Sequence, residues 1–303
     1  MAEYRIQGFA YHLKKDTDLS WLNAFGKIFS VFDQTGSSCI GFGMEKDGHR
    51  FFMKIAGADT EEAELTPAQS ISLLEAAVEK YEALAHPCLI GIEDAFLKNE
   101  LFAVMFEWAE GSCLFDHWNF EAYKNDPSLI SPRTRFEQLP SEKKLAVCRG
   151  IISFLKNCTQ KGYVPVDFYD SSIIYDFETD QFRFCDIDLF EKYPIVNQAG
   201  EGWWGTKRLK APEEHIGGSV IDEQTAVFNA SALSMDLLSH YEKAEMKKRY
   251  AKGYFIPVPE ELFLLSEPVR SVLLKGCSYQ KAERYRTMQE LEDAFLASIL
   301  KIA

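Results

Sequence analysis

Apolar positions alternate with polar ones in short runs over the first third of the chain and recur at helical spacing over the rest. Ile28–Phe32, Cys39–Lys46 and His49–Ile55 read as strands. Asp47-Gly48 between the last two is a two-residue hairpin signal, and Thr35-Gly36-Ser37-Ser38 is a turn cluster between the first two. From Pro67 the period lengthens. Leu73, Leu74, Ala77, Tyr81 and Leu84 fall on one helical face, Pro67 suits a first turn, and His86-Pro87 ends the helix. Leu89–Phe96 and Leu101–Phe106 are further strands, followed by a linker, Glu107-Trp108-Ala109-Glu110-Gly111. Residues 119–140, rich in Asn, Asp, Ser and Pro, read as an inserted, solvated surface loop carrying Arg133 and Arg135. A long helix runs from Ser141 to about Gln160, with Leu145, Val147, Ile151, Ile152 and Leu155 on its buried side. Ile173–Phe177 and Gln181–Asp186 form a short hairpin turned at Glu178-Thr179-Asp180, and helices are expected over about 223–239, 267–276 and 287–300. No repeat or low-complexity segment is present. Sheet-rich first and helix-rich afterwards, this is an α+β order in two lobes. Residues 1–106 form the first lobe (1–27 as an N-terminal extension), 107–111 a hinge, and 112–303 the second lobe.

Composition narrows the partners. With 303 residues, 47% apolar and 26% charged, the chain is an ordinary globular protein of one or two domains. A net charge of −13 and the lack of any basic run of five or more argue against nucleic acid as a main partner. No stretch approaches ~18 consecutive apolar residues, so no membrane span is expected. The start, Met-Ala-Glu-Tyr-Arg-Ile-Gln-Gly, lacks the apolar core of a signal peptide. Seven cysteines without a Cys-x-x-Cys pair fit a reduced, cytoplasmic protein.

Four segments carry chemistry. They are Lys54 in Phe-Phe-Met-Lys-Ile, Asp167 in Val-Asp-Phe-Tyr-Asp-Ser-Ser-Ile-Ile, Asp186 in Cys-Asp-Ile-Asp, and Gly-Thr-Lys-Arg-Leu-Lys-Ala-Pro-Glu at 205–213. In this order, with Asp186 lying 19 residues after Asp167, they resemble the lysine, catalytic-loop, metal-aspartate and Ala-Pro-Glu elements of the eukaryotic-type protein kinase family. The resemblance covers most of residues 28–298. A short second lobe and several departures point to a divergent bacterial-type serine/threonine kinase. The implied architecture is a protein-kinase-like fold: a small antiparallel β-rich N-lobe with one main helix, and a larger, mainly helical C-lobe. The implied activity is transfer of the γ-phosphate of ATP, with Mg²⁺, to a Ser or Thr hydroxyl of an unidentified protein or small-molecule acceptor.

Phosphoryl transfer asks the protein chiefly to hold phosphates, neutralise charge and align the acceptor. The resemblance assigns Lys54 to the α- and β-phosphates; the plainer reading is a lysine snorkelling from an edge strand. It assigns Gly36, Ser37 and Ser38 to the phosphate-covering loop, Phe106 to a gatekeeper position, and the backbone of Glu107 and Ala109 to adenine. Asp167 would accept or orient the acceptor proton. Asp186 would hold metal, with Ser172 where the metal-binding asparagine belongs and Asp188 where a glycine is usual. Extended backbone would put Asp186 and Asp188 on one side, roughly 6–7 Å apart, repelling each other unless a cation lies between. Thr206 and Glu213 would be structural, with Arg284 in Lys281-Ala282-Glu283-Arg284-Tyr285-Arg286-Thr287 as the partner of Glu213.

Other positions depart from the family. Ala77 falls where the glutamate partner of the lysine is expected, with Glu75 and Glu79 two residues to either side. Pro165 and Val166 replace His and Arg before Asp167, Tyr169 replaces a lysine, and Ala226 replaces a bracing aspartate. Residues 189–204 contain no Ser or Thr, so a phosphorylated loop and its arginine receptor are missing together. His215, His240 and Trp203-Trp204 read as packing residues. An aminoglycoside-kinase-like phosphotransferase would share Lys54, Asp167 and Asp186, but is not expected to carry Gly-Thr…Ala-Pro-Glu with Arg284. A nucleotide-binding pseudokinase serving as an interaction module would account for Ala77, Ser172 and Ala226.

Overall fold

The computed structural model describes residues 2–126 and 128–300; Met1, Pro127 and residues 301–303 lie outside it. The protein is a mixed α+β structure with antiparallel sheets and, among the described residues, eight α-helices. It divides into two compact units, the first ending at Glu110 and the second beginning at Gly111.

The first unit opens with a hairpin, β1 (Ala2–Ile6) and β2 (Phe9–Leu13). Then come β3 (Lys27–Phe32), β4 (Cys39–Lys46), β5 (His49–Ala56), α1 (Pro67–Ala83), β6 (Ile92–Lys98) and β7 (Leu101–Glu107). The last five strands form one antiparallel sheet in the order β3-β4-β5-β7-β6. Asp47 and Gly48, at φ +53° and +80°, supply the left-handed pair that a tight hairpin turn requires. Alternation along β5 sorts its side chains. Phe51, Met53 and Ile55 enter a core with Tyr11, Leu13, Leu19 and Leu22, while Phe52 and Lys54 face the other way. On that second face Phe106, the cross-strand partner of Phe52, meets Tyr81 of α1 with ring centroids 4.9 Å apart. A Thr66–Gln69 capping box and Pro67 in the first turn start α1.

Two details differ from the sequence pattern. The strand expected from Leu89 begins at Ile92, where the pairing with β7 starts, and Leu89 and Ile90 are buried ahead of it. The expected N-terminal extension, described from residue 2, is an integral part of the unit: Ile6, Tyr11, Leu13, Leu19 and Leu22 line its core, and the Gln7 side chain accepts the Ile28 N–H at 2.8 Å.

The second unit contains β8 (Ser112–Cys113), α2 (Phe120–Asn125), α3 (Pro132–Glu137), α4 (Ser141–Gln160) and β9 (Tyr163–Val164). It continues with β10 (Ile173–Tyr175), β11 (Phe182–Phe184), β12 (Glu191–Lys192), β13 (Ile195–Val196) and β14 (Val220–Ile221). Four helices complete it: α5 (Glu223–Leu237), α6 (Lys243–Lys252), α7 (Glu267–Gly276) and α8 (Met288–Ile299). α4 packs on α5 and α8, and α7 packs on the same two helices. The fully buried row Val147, Cys148, Ile151, Ile152 and Leu155 makes α4 the centre of this core. The polar sequence of α6 gave no helical face to read, and Gly253 in the left-handed region ends it.

The stretch 119–140 is solvated only in part: most of 119–126 and 128–130 is exposed, whereas Pro132, Arg133 and Phe136 of α3 are buried. Ser131 caps α3, Pro132 fills its first turn, and Phe136 is fully buried with its ring 5.5 Å from that of Tyr175. Arg133 is buried too, because acidic partners distant in sequence satisfy its guanidinium. Among the described residues no helix is long and apolar enough to cross a membrane. Phe136→Ala should therefore destabilise the protein by about 3–5 kcal/mol, the usual cost of emptying a buried phenylalanine site. Urea unfolding checks this, and a change below about 0.5 kcal/mol, typical of surface positions, would show α3 undocked.

Candidate functional site

Two aspartates of the second unit are held in an unusual backbone state. Asp167, three residues after β9, has φ +57°, and Asp186, two residues after β11, has φ +58°. Left-handed backbone costs a residue with a Cβ roughly 1–2 kcal/mol, and Asp tolerates it better than most. Such a conformation persists where its surroundings over-determine it. Here the fixing groups are aromatic. Phe168, next to Asp167, lies 5.7 Å from Phe154 of α4, 5.5 Å from Phe184 of β11 and 5.8 Å from Phe190. All four rings are buried, so the segments bearing the two aspartates share one rigid support.

The Asp167 carboxylate accepts a hydrogen bond from the Thr206 hydroxyl at 3.2 Å. Burial and, less strongly, the neighbouring Asp186 charge raise its pKa to about 6 against the opposing pull of Thr206 and Lys210. Asp167, Asp186 and Thr206 are thus gathered at one place. Asp188 is buried in the turn that follows Asp186. The left-handed φ of Asp186 removes the extended geometry on which the expected 6–7 Å spacing of the two carboxylates relied. Ser172 is buried in the short turn Asp170–Ser172, and its hydroxyl accepts the Tyr169 N–H at 3.5 Å. No group of three or more His, Cys, Asp or Glu side chains among the described residues is arranged to hold a metal. Protein carboxylates could therefore complete a metal's coordination only together with a ligand's own oxygens and water.

The loop bearing Asp167 is braced through Asp170. Arg208 Nη2 contacts the Asp170 carboxylate at 2.6 Å, and Arg208 Nη1 reaches Asp236 of α5 at 3.0 Å. Arg133 Nη1 lies 3.0 Å from the same Asp236 oxygen and 3.8 Å from Asp170, while its Nε bonds Glu137 at 3.0 Å. Burial works against the charges of Arg133 and Asp236, yet their partners outweigh it, holding the guanidinium pKa above and the carboxyl pKa below their ordinary values. Ala226, also on α5, is fully buried and offers no polar brace. The bracing carboxylate comes instead from Asp236, farther along the same helix.

A second buried pair holds the segment after Thr206. Arg284 Nη1 and Nη2 meet the two Glu213 oxygens at 2.6 and 2.9 Å, and Thr225 of α5 donates to Glu213 at 2.8 Å. Arg284 also donates to the Ser278 carbonyl and lies 4.7 Å over the Phe228 ring. Burial pushes the Glu213 carboxyl up, but the Arg284 guanidinium more than offsets it and leaves the pKa below its ordinary value. Glu214 beside it behaves oppositely. Burial raises its pKa to about 7 although Asn229 and the Ala211 N–H both donate to it.

In the first unit Lys54 is half-buried on the internal strand β5, opposite Gly41 and Val104, which rules out the edge-strand alternative. Ala77 faces the sheet, while Glu75 and Glu79 face solvent. Phe106 is buried. Glu107 donates its N–H to the Gly91 carbonyl at 3.0 Å, so it could serve adenine only as an acceptor. Ala109 is half-buried just beyond β7. The Gly36 carbonyl accepts the Glu64 N–H at 2.8 Å, Ser37 is half-buried, and Ser38 is fully buried at φ +59°. That turn is tied to the segment before α1.

No family model and no curated protein sequence matches this chain. Sequence reasoning missed Asp170, Arg208, Asp236 and Glu214, and placed Arg133 at the surface. One signal was available: Asp236 is the only charged residue between Glu223 and Leu238, and a charge in an otherwise uncharged helix needs a buried partner. Trp204, expected to pack, is instead 42% exposed, and His240 is an exposed partner of Glu137 at 2.8 Å.

Two outcomes follow from the buried carboxylates. Arg284→Ala strands the Glu213 charge and should cost about 3–5 kcal/mol in chemical unfolding; an unchanged midpoint would contradict the pairing. Glu214 has a folded pKa of about 7 against an ordinary 4.5. Between those values the folded protein keeps a proton that the unfolded chain releases, so stability falls as pH rises through this window and levels off above it. At ~1.36 kcal/mol per pKa unit the loss is on the order of 3 kcal/mol. Glu214→Gln should remove that part of the pH dependence, and parallel pH–stability curves for the two proteins would exclude it.

Proposed function

We propose that the protein is an ATP- and Mg²⁺-dependent phosphotransferase of protein-kinase type that transfers the γ-phosphate of ATP to a Ser or Thr hydroxyl. The observation that carries this reading is the gathering of Asp167, Asp186 and Thr206, with Asp167 half-buried and hydrogen-bonded yet still raised in pKa by desolvation and by its acidic neighbour. Two carboxylates that disfavour each other's charge fit a hard divalent cation, and Mg²⁺ commonly takes one or two carboxylates with phosphate oxygens and water. When bound, Mg²⁺ neutralises phosphate charge as the transition state develops.

In this reading Asp186, with Asp188 near it in sequence, holds the metal. Lys54 grips the α- and β-phosphates. Asp167 orients the acceptor hydroxyl and takes its proton as the oxygen–phosphorus bond forms and the bond to the ADP oxygen breaks. Thr206 fixes the Asp167 carboxylate, and the Asp170 and Glu213 ion pairs hold the two flanking segments. The two-lobed protein-kinase-like fold belongs to the same proposal, supported by a β-rich first unit with one main helix and a mainly helical second unit. A second reading, a nucleotide-binding protein that does not transfer phosphate, is favoured by the burial of Ser172 and the outward-facing Glu75 and Glu79.

Millimolar Mg·ATP should raise the unfolding temperature of the wild-type protein. Saturation at ~100 times Kd corresponds to about 2.7 kcal/mol. Lys54→Met and Asp186→Asn should each abolish the shift without unfolding the protein. No shift in the wild type would end the kinase reading. A shift without transfer of label from γ-labelled ATP to protein or to basic substrates would favour the second one.

A further inference from the structure

The loop that carries Asp167, Pro165 to Ser172, contains no Lys, Arg or His. Tyr169, two residues beyond Asp167, adds no charge, because burial and the nearby acidic groups hold its phenol above its ordinary pKa. A site that handles a phosphoryl group needs positive charge beside it. The structure provides a candidate from another segment. The side chain of Lys210, only 4% exposed, folds back across the turn at Gly205. Gly205 has φ +126°, and a Cβ there would lie 3.0 Å from Lys210 Cε and 3.6 Å from the Asp167 backbone nitrogen. Glycine is thus what lets the lysine stem pass beside the Asp167 loop.

The Lys210 ammonium has three N–H donors, and one is given to the Trp203 carbonyl. No carboxylate lies within ion-pairing distance of it among the described residues. The charged groups whose fields reach it are Glu214, Asp167 and Lys207, and it in turn depresses the pKa of His215. Desolvation is the largest influence on it and lowers its pKa. A buried cation with donors to spare and no ion pair is a receptor for an anion.

We infer that Lys210 is the anion-binding residue of the Asp167 site, donating to the non-bridging oxygens of the phosphoryl group as it moves from ADP to the acceptor oxygen. The inference rests on the phosphotransferase reading for the identity of that anion. The donor positions themselves require only a phosphate-type group. While the acceptor proton passes to Asp167 and the bond to the ADP oxygen breaks, Lys210 gains and loses no proton; it offsets charge that accumulates on the transferring group.

The test compares wild type with Lys210→Gln, which keeps an amide donor for the Trp203 carbonyl but no charge, and with Lys210→Arg. Phosphoryl transfer by Lys210→Gln should slow about 10²-fold, as when one oxyanion donor is removed, with Mg·ATP affinity unchanged. Lys210→Arg should recover part of the rate. Inorganic phosphate alone should stabilise the wild type against heat and leave Lys210→Gln unaffected. A purely structural lysine predicts the opposite split, a lower unfolding midpoint with phosphate stabilisation intact, and that result overturns the inference. Transfer by Lys210→Gln at the wild-type rate overturns it as well. Should the wild type not bind Mg·ATP, the proposed function fails by itself, and the phosphate comparison alone decides whether Lys210 forms an anion site. Equal phosphate responses in wild type and Lys210→Gln then dismiss it.

Discussion

The candidate site depends on a buried aromatic contact. Phe168 and Phe184 flank the two left-handed aspartates in sequence, and Phe154 and Phe190 close the cluster around them. Both aspartates stand in the left-handed region, which is disfavoured for most residues with a Cβ but which Asp tolerates. Packing four large rings fixes the segments through side chains that themselves carry no chemistry. The polar groups are thereby left to face one another, and desolvation, together with the Asp186 charge, raises the pKa of Asp167.

Around this support, buried charges are used in two distinct ways. Asp170, Asp236, Arg133 and Arg208 are matched at short distances, as are Glu213 and Arg284, so desolvation is offset and the carboxyls of Asp236 and Glu213 stay ionised. Such pairs add little net stability compared with apolar packing, but breaking one partner is costly, which makes them effective locks. Glu214 and Lys210 are buried, and Asp167 half-buried, without a close opposite charge, and each has its pKa pushed toward the neutral form. Matched groups hold the backbone; mismatched groups are those with interaction capacity left for a ligand or a proton.

Much of the secondary structure was legible because it rests on local signals. The Asp47-Gly48 turn, the Pro67 start of α1, the apolar rows of α4 and the turn before β11 act within a few residues. The pairing of Glu213 with Arg284, expected from motif order, is a contact across 71 residues. The regions that misled were those whose polarity is satisfied at a distance. Arg133 looked solvent-bound until Asp236 supplied its partner 103 residues on. The first 27 residues read as an extension, yet Ile6, Tyr11, Leu13, Leu19 and Leu22 complete the core under the sheet.

By itself the sequence determined the strands of the main sheet, the β10–β11 hairpin, the helices α1, α4, α5, α7 and α8, the segments that carry chemistry and the candidate roles of Lys54, Asp167, Asp186, Thr206, Glu213 and Arg284. Periodicity and turn chemistry are properties of neighbouring residues, and motif order needs no coordinates. Only the tertiary structure decided which groups share a place. It put Lys54 on an internal strand, turned Glu75 and Glu79 outward, gave Asp186 a left-handed backbone in place of an extended one, and laid Lys210 beside the Asp167 loop. Those outcomes follow from desolvation and packing between distant segments, and both are set by distance in space, which sequence spacing does not encode.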